Sequence, residues 1–217
     1  MNRTGRNGVG CGLAGFHDFD CRILPLSKQC GNRTLATHYN DLERKMAVKN
    51  YLIEGSSGSG KTSVATELER RGYHAVHGDR VLAYQGDPET GARLDPLLIG
   101  QHRGNPEFIS RHHIWDVAQV KALIADQSQP ASFFCGGSRN FHQFIDLFDA
   151  VFVLEVDAQT LNQRLDARPN EWGSAPAERA LILRQLAERE GIPENAISID
   201  TKVPIADVVD EILAHCK

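Results

Sequence analysis

The sequence has 217 residues, 41% of them hydrophobic, with a formal net charge of −4. This suits one domain with a sizeable core, contains no apolar stretch as long as a membrane span, and argues against a general nucleic-acid binder. The five cysteines are odd in number, and no continuous apolar signal segment stands at the N-terminus, so free thiols in a reducing cytoplasm are expected.

Residues 1–45 carry seven lysines and arginines against four carboxylates and show no sustained periodicity. Gly8-Val9-Gly10-Cys11-Gly12-Leu13 superficially resembles a dinucleotide loop, but no strand precedes it. Cys11, Cys21, Cys30, His17 and His38 lack the paired spacing of a zinc site. The expectation is a flexible extension over 1–45 and one domain over 46–217, with Met46 just ahead of its first strand.

Tyr51-Leu52-Ile53 is a short apolar run that reads as a strand. Gly55 to Thr62 then reads Gly-Ser-Ser-Gly-Ser-Gly-Lys-Thr, which matches the phosphate-binding pattern G-x-x-x-x-G-K-[ST]. A helical pattern with Val64 and Leu68 follows. The backbone N–H groups of Ser56, Ser57, Gly58, Ser59, Gly60, Lys61, Thr62 and Ser63 can turn into one concavity, because Gly55, Gly58 and Gly60 permit angles that a Cβ would block. Lys61 is expected to reach the β- and γ-phosphates of ATP, and the Thr62 hydroxyl to sit on Mg²⁺. The phosphates would lie at a helix N-terminus, whose dipole favours anions.

Arg71-Gly72 closes that helix, and Tyr73 to His77 reads as a second strand. Asp79 follows at its carboxyl end, where open α/β sheets bind ligands. It is a candidate for contact with Mg²⁺ water or for accepting a proton from an acceptor hydroxyl; a helix N-cap is the alternative. Residues 85–110 have little periodicity and read as a binding segment or lid. Arg93, Arg103 and Arg111 lie in or beside it, and His102, His112 and His113 form no metal-ligand pattern. Ile109 to Asp126 reads as a helix with a broad apolar face. Ala131 to Cys135 reads as a buried parallel strand ending in Gly136-Gly137-Ser138-Arg139, where the backbone can approach a ligand. Phe141 to Leu147 reads as a short helix and Val151 to Val156 as the clearest strand. Ala158 to Arg168 is helical, with Arg164 and Arg168 on one face. Pro169 to Pro176 reads as a mobile flap and Ala177 to Glu190 as an amphipathic helix. Ile197 to Ile199 is a last strand and Ile205 to His215 a last helix. The alternation implies a parallel sheet with right-handed crossovers.

From Val48 onward the sequence resembles the nucleoside-monophosphate kinase superfamily, which includes adenylate and shikimate kinases. The resemblance rests on the P-loop, on Leu154-Glu155-Val156-Asp157 followed by Leu161, Arg164, Leu165 and Arg168, and on Cys135-Gly136-Gly137-Ser138-Arg139. It implies a three-layer αβα sandwich with a five-stranded parallel sheet and a short lid at Pro169 to Pro176. It also implies that Arg164 packs on adenine, that Arg168 contacts phosphate, and that Gly136, Gly137 and Arg139 bind the acceptor. The sequence departs from the pattern in two places. Cys135 stands where an aspartate is usual, and the usual Phe-Pro pair before the arginine is missing.

The expected function is phosphoryl transfer from ATP to a small acceptor, a nucleotide or nucleoside or a small hydroxylated acid. Lys61, Asp79, Arg164 and Arg168 are the expected catalytic residues, ATP and Mg²⁺ the cofactors, and Thr62 and Asp79 the metal-side groups. With Arg139 free to take an anion, a nucleoside monophosphate fits best, a hydroxylated acid next and a free nucleoside least. The alternative is an ATP-binding switch with weak ATPase activity and a protein partner. Neither nucleic acid nor membrane is expected as a partner, and the chain is expected to be a monomer or a homodimer.

Overall fold

The computed structural model describes residues 48–216. The expectations for the extension over 1–45, its three cysteines and Met46 lie outside that range. Strand β1 (Lys49–Gly55) runs buried into the P-loop, and α1 (Lys61–Arg70) leaves it. Gly72, at φ +85°, turns the chain into β2 (His74–His77). A single helical turn, α2 (Gly78–Val81), follows, and then a short strand, β3 (Ala83–Gln85).

The stretch expected to be irregular contains two short helices, α3 (Pro96–Gln101) and α4 (Pro106–Arg111). Each opens on a capping side chain followed by proline. Asp95 accepts from the Leu97 N–H and Asn105 from the Phe108 N–H.

The single helix expected over Ile109 to Asp126 is not present. Its place is taken by α4, a strand β4 (His113–Trp115) and a helix α5 (Val117–Ile124). The physical reason is burial of consecutive residues. Ile114 and Trp115 are both fully buried, which an antiparallel pairing of β4 with β3 permits. Asp116 then caps α5 by accepting from the Gln119 N–H at 3.0 Å.

Strand β5 (Ala131–Cys135) is followed by two single 3₁₀ turns, Phe141–Gln143 and Ile145–Leu147, in place of the expected short helix. Phe144 interrupts them with φ −144° and stacks inward on Trp115, ring centroids 5.7 Å apart. The chain ends through β6 (Ala150–Glu155), α6 (Ala158–Asp166), α7 (Pro176–Glu188), β7 (Ile197–Asp200) and α8 (Ile205–His215).

The main sheet is parallel, with five strands in the order β2-β5-β1-β6-β7. Side chains alternate across it. Tyr51, Ile53, Phe133, Phe152 and Leu154 pack on one face against α1 and α8. Leu52, Phe134 and Val151 pack on the other with Trp115, Val120, Phe144 and Phe148. This is the expected three-layer arrangement. It places the ends of β1, β2 and β5 side by side, so the P-loop, Asp79 and the Gly136-Gly137 turn share one edge. Among the described residues, no helix is long and apolar enough to cross a membrane.

Candidate active site

The P-loop has the backbone shape its sequence demands. Gly58 stands at φ +91°, and a Cβ there would lie 2.6 Å from Leu161 Cδ1. Gly60, at φ +113°, occupies the N-cap of α1. Lys61 Nζ is folded back onto its own loop, donating to the carbonyls of Gly55 at 2.7 Å and Ser56 at 3.0 Å. Those carbonyls are weak substitutes for phosphate oxygens, because a charged donor gains more from a charged acceptor.

A cavity of about 580 Å³ lies over this loop, lined by residues 57–64, Arg164 and Arg168 among others. Arg164 on α6 and Arg168, two residues past its end, do different things. Arg164 donates to the Ser59 carbonyl at 2.8 Å, to Thr201 Oγ1 at 3.0 Å, and to the Thr201 carbonyl. Arg164 therefore ties the P-loop to the end of β7. Arg168 pairs with the Glu171 carboxylate at 3.3 Å. Its Nε and Nη2 are buried and have no hydrogen-bond partner among the described residues. Nη2 stands over Gly58, 3.2 Å from where a Cβ would sit. Donors left unsatisfied beside a phosphate-binding loop are groups that an anion would complete.

On the far side of Lys61 lies a second cavity of about 390 Å³. Asp79 lines both cavities. It does not cap α2, whose N-cap position is His77. Instead its Oδ1 accepts from the Gly137 N–H at 3.0 Å and pairs with His113 Nε2 at 3.3 Å. Burial pushes this carboxyl up, but the His113 bond, the Lys61 charge and the Gly137 N–H outweigh it and hold it below the ordinary range. Asp79 is thus an anion at neutral pH. Gly136 is pinned by donating to the Ile53 carbonyl at 3.1 Å, and a Cβ there would strike the Trp115 ring at 2.5 Å.

Arg139 lines the same cavity, but its donors are in use. Nε and Nη2 donate to the carbonyl and Oγ of Ser110 at 3.1 and 2.7 Å, and Nη1 pairs with Glu190 at 3.2 Å. Cys135 is buried in the core, and burial pushes its thiol well up, so it faces no ligand. The Pro169 to Pro176 segment brings Trp172 to the cavity and is fastened by Glu178, which accepts from the Gly173 N–H at 2.8 Å.

Several cavity residues escape sequence reasoning. Glu54 is the main one. It is the second-last residue of β1, 3% exposed, and its Oε1 has no hydrogen-bond partner among the described residues. Burial raises its pKa to about 8 against the pull of Lys61 and the N–H groups of Gly55 and Ser138; the Asp79 charge adds to the rise. A carboxyl directly after the apolar run Tyr51-Leu52-Ile53 was the available signal. His113, Gln185 and Glu190 also line this cavity; they arrive from distant elements and carry no local pattern.

No protein-family model matches the chain. A segment is similar to HPr kinase/phosphorylase from Lactiplantibacillus plantarum, 33% identical over 86 residues, or 34% of this chain and 27% of that protein. The match thus spans little more than a quarter of that relative's length. Among solved structures, the chain is similar to shikimate kinase from Acinetobacter baumannii in complex with shikimate. That match has 20% identity and a TM-score of 0.47, covering 79% of this chain and 94% of the other. It is also similar to deoxyadenosine kinase from M. mycoides with bound dATP, at 15% identity and a TM-score of 0.47, covering 77% and 98%.

The two arginines are expected to separate by experiment. Arg164→Ala should lower stability by about 1–3 kcal/mol, because buried acceptors lose their donor. Arg168→Ala should stay within about 0.5 kcal/mol of the parent while weakening ATP binding about tenfold or more. Urea unfolding and calorimetric titration check both; equal stability losses would contradict the division. Glu54 also predicts a pH signature. As pH rises past 4.5 the unfolded chain loses this proton, while the folded chain keeps it until about 8. Native protein therefore binds more protons in this window, and stability falls as pH rises. Glu54→Gln should remove that component, so its melting temperature should exceed the parent's by more at pH 8 than at pH 5. An equal difference at both pH values would contradict it.

Proposed function

We propose that the chain transfers a phosphoryl group from ATP to a small-molecule acceptor. The observation that carries this reading is that Lys61 and Asp79 line two cavities at once. One is built on the P-loop and suits a polyphosphate; the other suits an acceptor. The reacting phosphorus would lie between them.

In this reading the backbone amides of Ser56 to Thr62, with Ser63 beside them, hold the phosphates. Lys61 leaves its loop carbonyls for the phosphate oxygens, and Arg168 brings its unpartnered N–H groups. Arg164 keeps the loop in shape through Ser59, and its place beside the loop leaves its outer face for the base of ATP. An acceptor oxygen forms a bond to the γ-phosphorus as the bond to the bridging oxygen breaks, and ADP leaves. A hydroxyl acceptor gives its proton to Asp79, already an anion at neutral pH; an acceptor phosphate needs no base. The protein's share is positioning and charge stabilisation.

The residues present fit Mg²⁺. The Thr62 side chain is exposed, Asp79 is ionised, and both line the P-loop cavity as hard oxygen donors. Mg²⁺ would supply charge neutralisation on the bound phosphates. A cytoplasmic setting suits the free thiols of Cys135 and Cys216.

The similarity to HPr kinase/phosphorylase favours one second reading, in which the acceptor or partner is a protein. Measuring ADP release from ATP with and without small acceptors separates the two. Acceptor-dependent release is expected, and Lys61→Ala should lower it by about 10²–10³ with the melting temperature unchanged. Slow release that ignores small acceptors and changes only with a protein would support the second reading instead.

A further inference from the structure

The acceptor cavity contains a group that the proposed transfer does not use. Glu54 stands at its floor, at the end of β1, with Lys61 and Asp79 as its charged neighbours. Gly137 opposes it and has no side chain to cover it; a Cβ there would lie 3.4 Å from Glu54 Oε2. Burying a carboxyl without a full set of partners costs free energy, so a fold that retains one at a cavity wall points to a ligand that completes it.

The charges around the cavity say what kind of ligand. Among the described residues, the lysine and arginine that line it are Lys61 and Arg139. Lys61 is committed to the phosphates of the donor. Arg139 is neutralised by Glu190 and has its remaining donors on Ser110. Glu190 is itself anchored by Arg184 at 2.9 Å, and Arg184 also holds Glu107 of α4 at 2.9 Å. Releasing Arg139 for an anion would therefore cost its pairing with Glu190 and its two bonds to Ser110 of α4, while Arg184 would still hold Glu190 and Glu107. Among the described residues, no lysine or arginine lining the cavity is left without a partner to receive an anionic handle, and His113 is paired with Asp79. What remains is hydrogen-bonding capacity on Glu54, Asp79, His113 and the Gln185 amide, beside an apolar wall that includes Trp172 and Ile182.

We propose that Glu54 is a substrate-binding residue of this cavity, and that the acceptor is an uncharged polyhydroxylated molecule. One of its hydroxyls meets Asp79 and is phosphorylated, while a neighbouring hydroxyl hydrogen-bonds to Glu54. Its less polar ring face lies on Trp172. This chemistry is shared by nucleosides and by sugars. It reverses the ranking that a free Arg139 would give, in which an acceptor phosphate or carboxylate comes first. The inference rests on the phosphoryl-transfer reading.

The test uses the full chain with ATP and Mg²⁺. ADP release is measured with ribonucleosides in one arm, aldoses and polyols in a second, and nucleoside monophosphates, shikimate and gluconate in a third. An uncharged acceptor from either of the first two arms is expected to drive release. With that acceptor, Glu54→Gln is expected to raise KM about tenfold or more while KM for ATP stays within about twofold. Melting curves show that the variant is folded. Release driven by the anionic arm alone would overturn the inference and leave phosphoryl transfer standing, as would an unchanged acceptor KM in Glu54→Gln. No release in any arm would overturn phosphoryl transfer to a small molecule, and the inference with it.

Discussion

One guanidinium holds the site in shape. Arg164 reaches from α6 to the Ser59 carbonyl and to Thr201 at the end of β7. The P-loop must keep an unusual backbone path, with Gly58 and Gly60 at positive φ, and it must do so before a ligand arrives. A loop of small residues cannot hold such a path by its own packing. Arg164 supplies the external hold, and Leu161, one turn earlier on α6, packs against Gly58. Arg164 sits in the last turn of α6, and Arg168 follows two residues after the helix ends. The helix thus fixes the loop, and the chain leaving it presents an unsatisfied donor over Gly58.

The second cavity is assembled differently. Its floor comes from the ends of β1, β2 and β5, which a parallel sheet brings to one edge whatever their separation in sequence. Asn140, fully buried, bonds both the N–H and the carbonyl of Trp115 and so locks the small second sheet onto the β5 turn. That lock carries His113 into reach of Asp79. The walls come from α4 and α7, joined by Arg184 and Glu107. The floor is therefore part of the sheet, while the walls depend on side-chain ion pairs.

This difference decides what was legible in the sequence. The P-loop, the five core strands and Arg164 are local patterns, and they stand where the spacing of residues places them; the helix expected to run to Arg168 stops at Asp166. The strand β4 was hidden because Ile114, Val117, Val120 and Leu123 also fit a helical face; what overrides that reading is pairing with β3, a non-local interaction. The 3₁₀ turns after residue 140 answer to the inward stacking of Phe144 on Trp115, again a tertiary effect. Arg139 was legible as a cavity residue but not as an occupied one, since Glu190 is remote in sequence. Glu54 was missed, since it stands just past the apolar run Tyr51-Leu52-Ile53 and its meaning depends on Gly137, which faces it from β5's turn.

In the proposed site this loop and Arg168 receive the phosphates of ATP, and Arg164 holds the loop in shape. The most direct measurement is the structure of the chain with Mg²⁺ and a non-hydrolysable ATP analogue. Lys61 Nζ should then leave the Gly55 and Ser56 carbonyls for phosphate oxygens. Arg168 should place its free N–H groups on phosphate, while Arg164 keeps its bonds to Ser59 and Thr201. A complex in which Lys61 stays on its own loop, with the analogue bound elsewhere, would contradict the account.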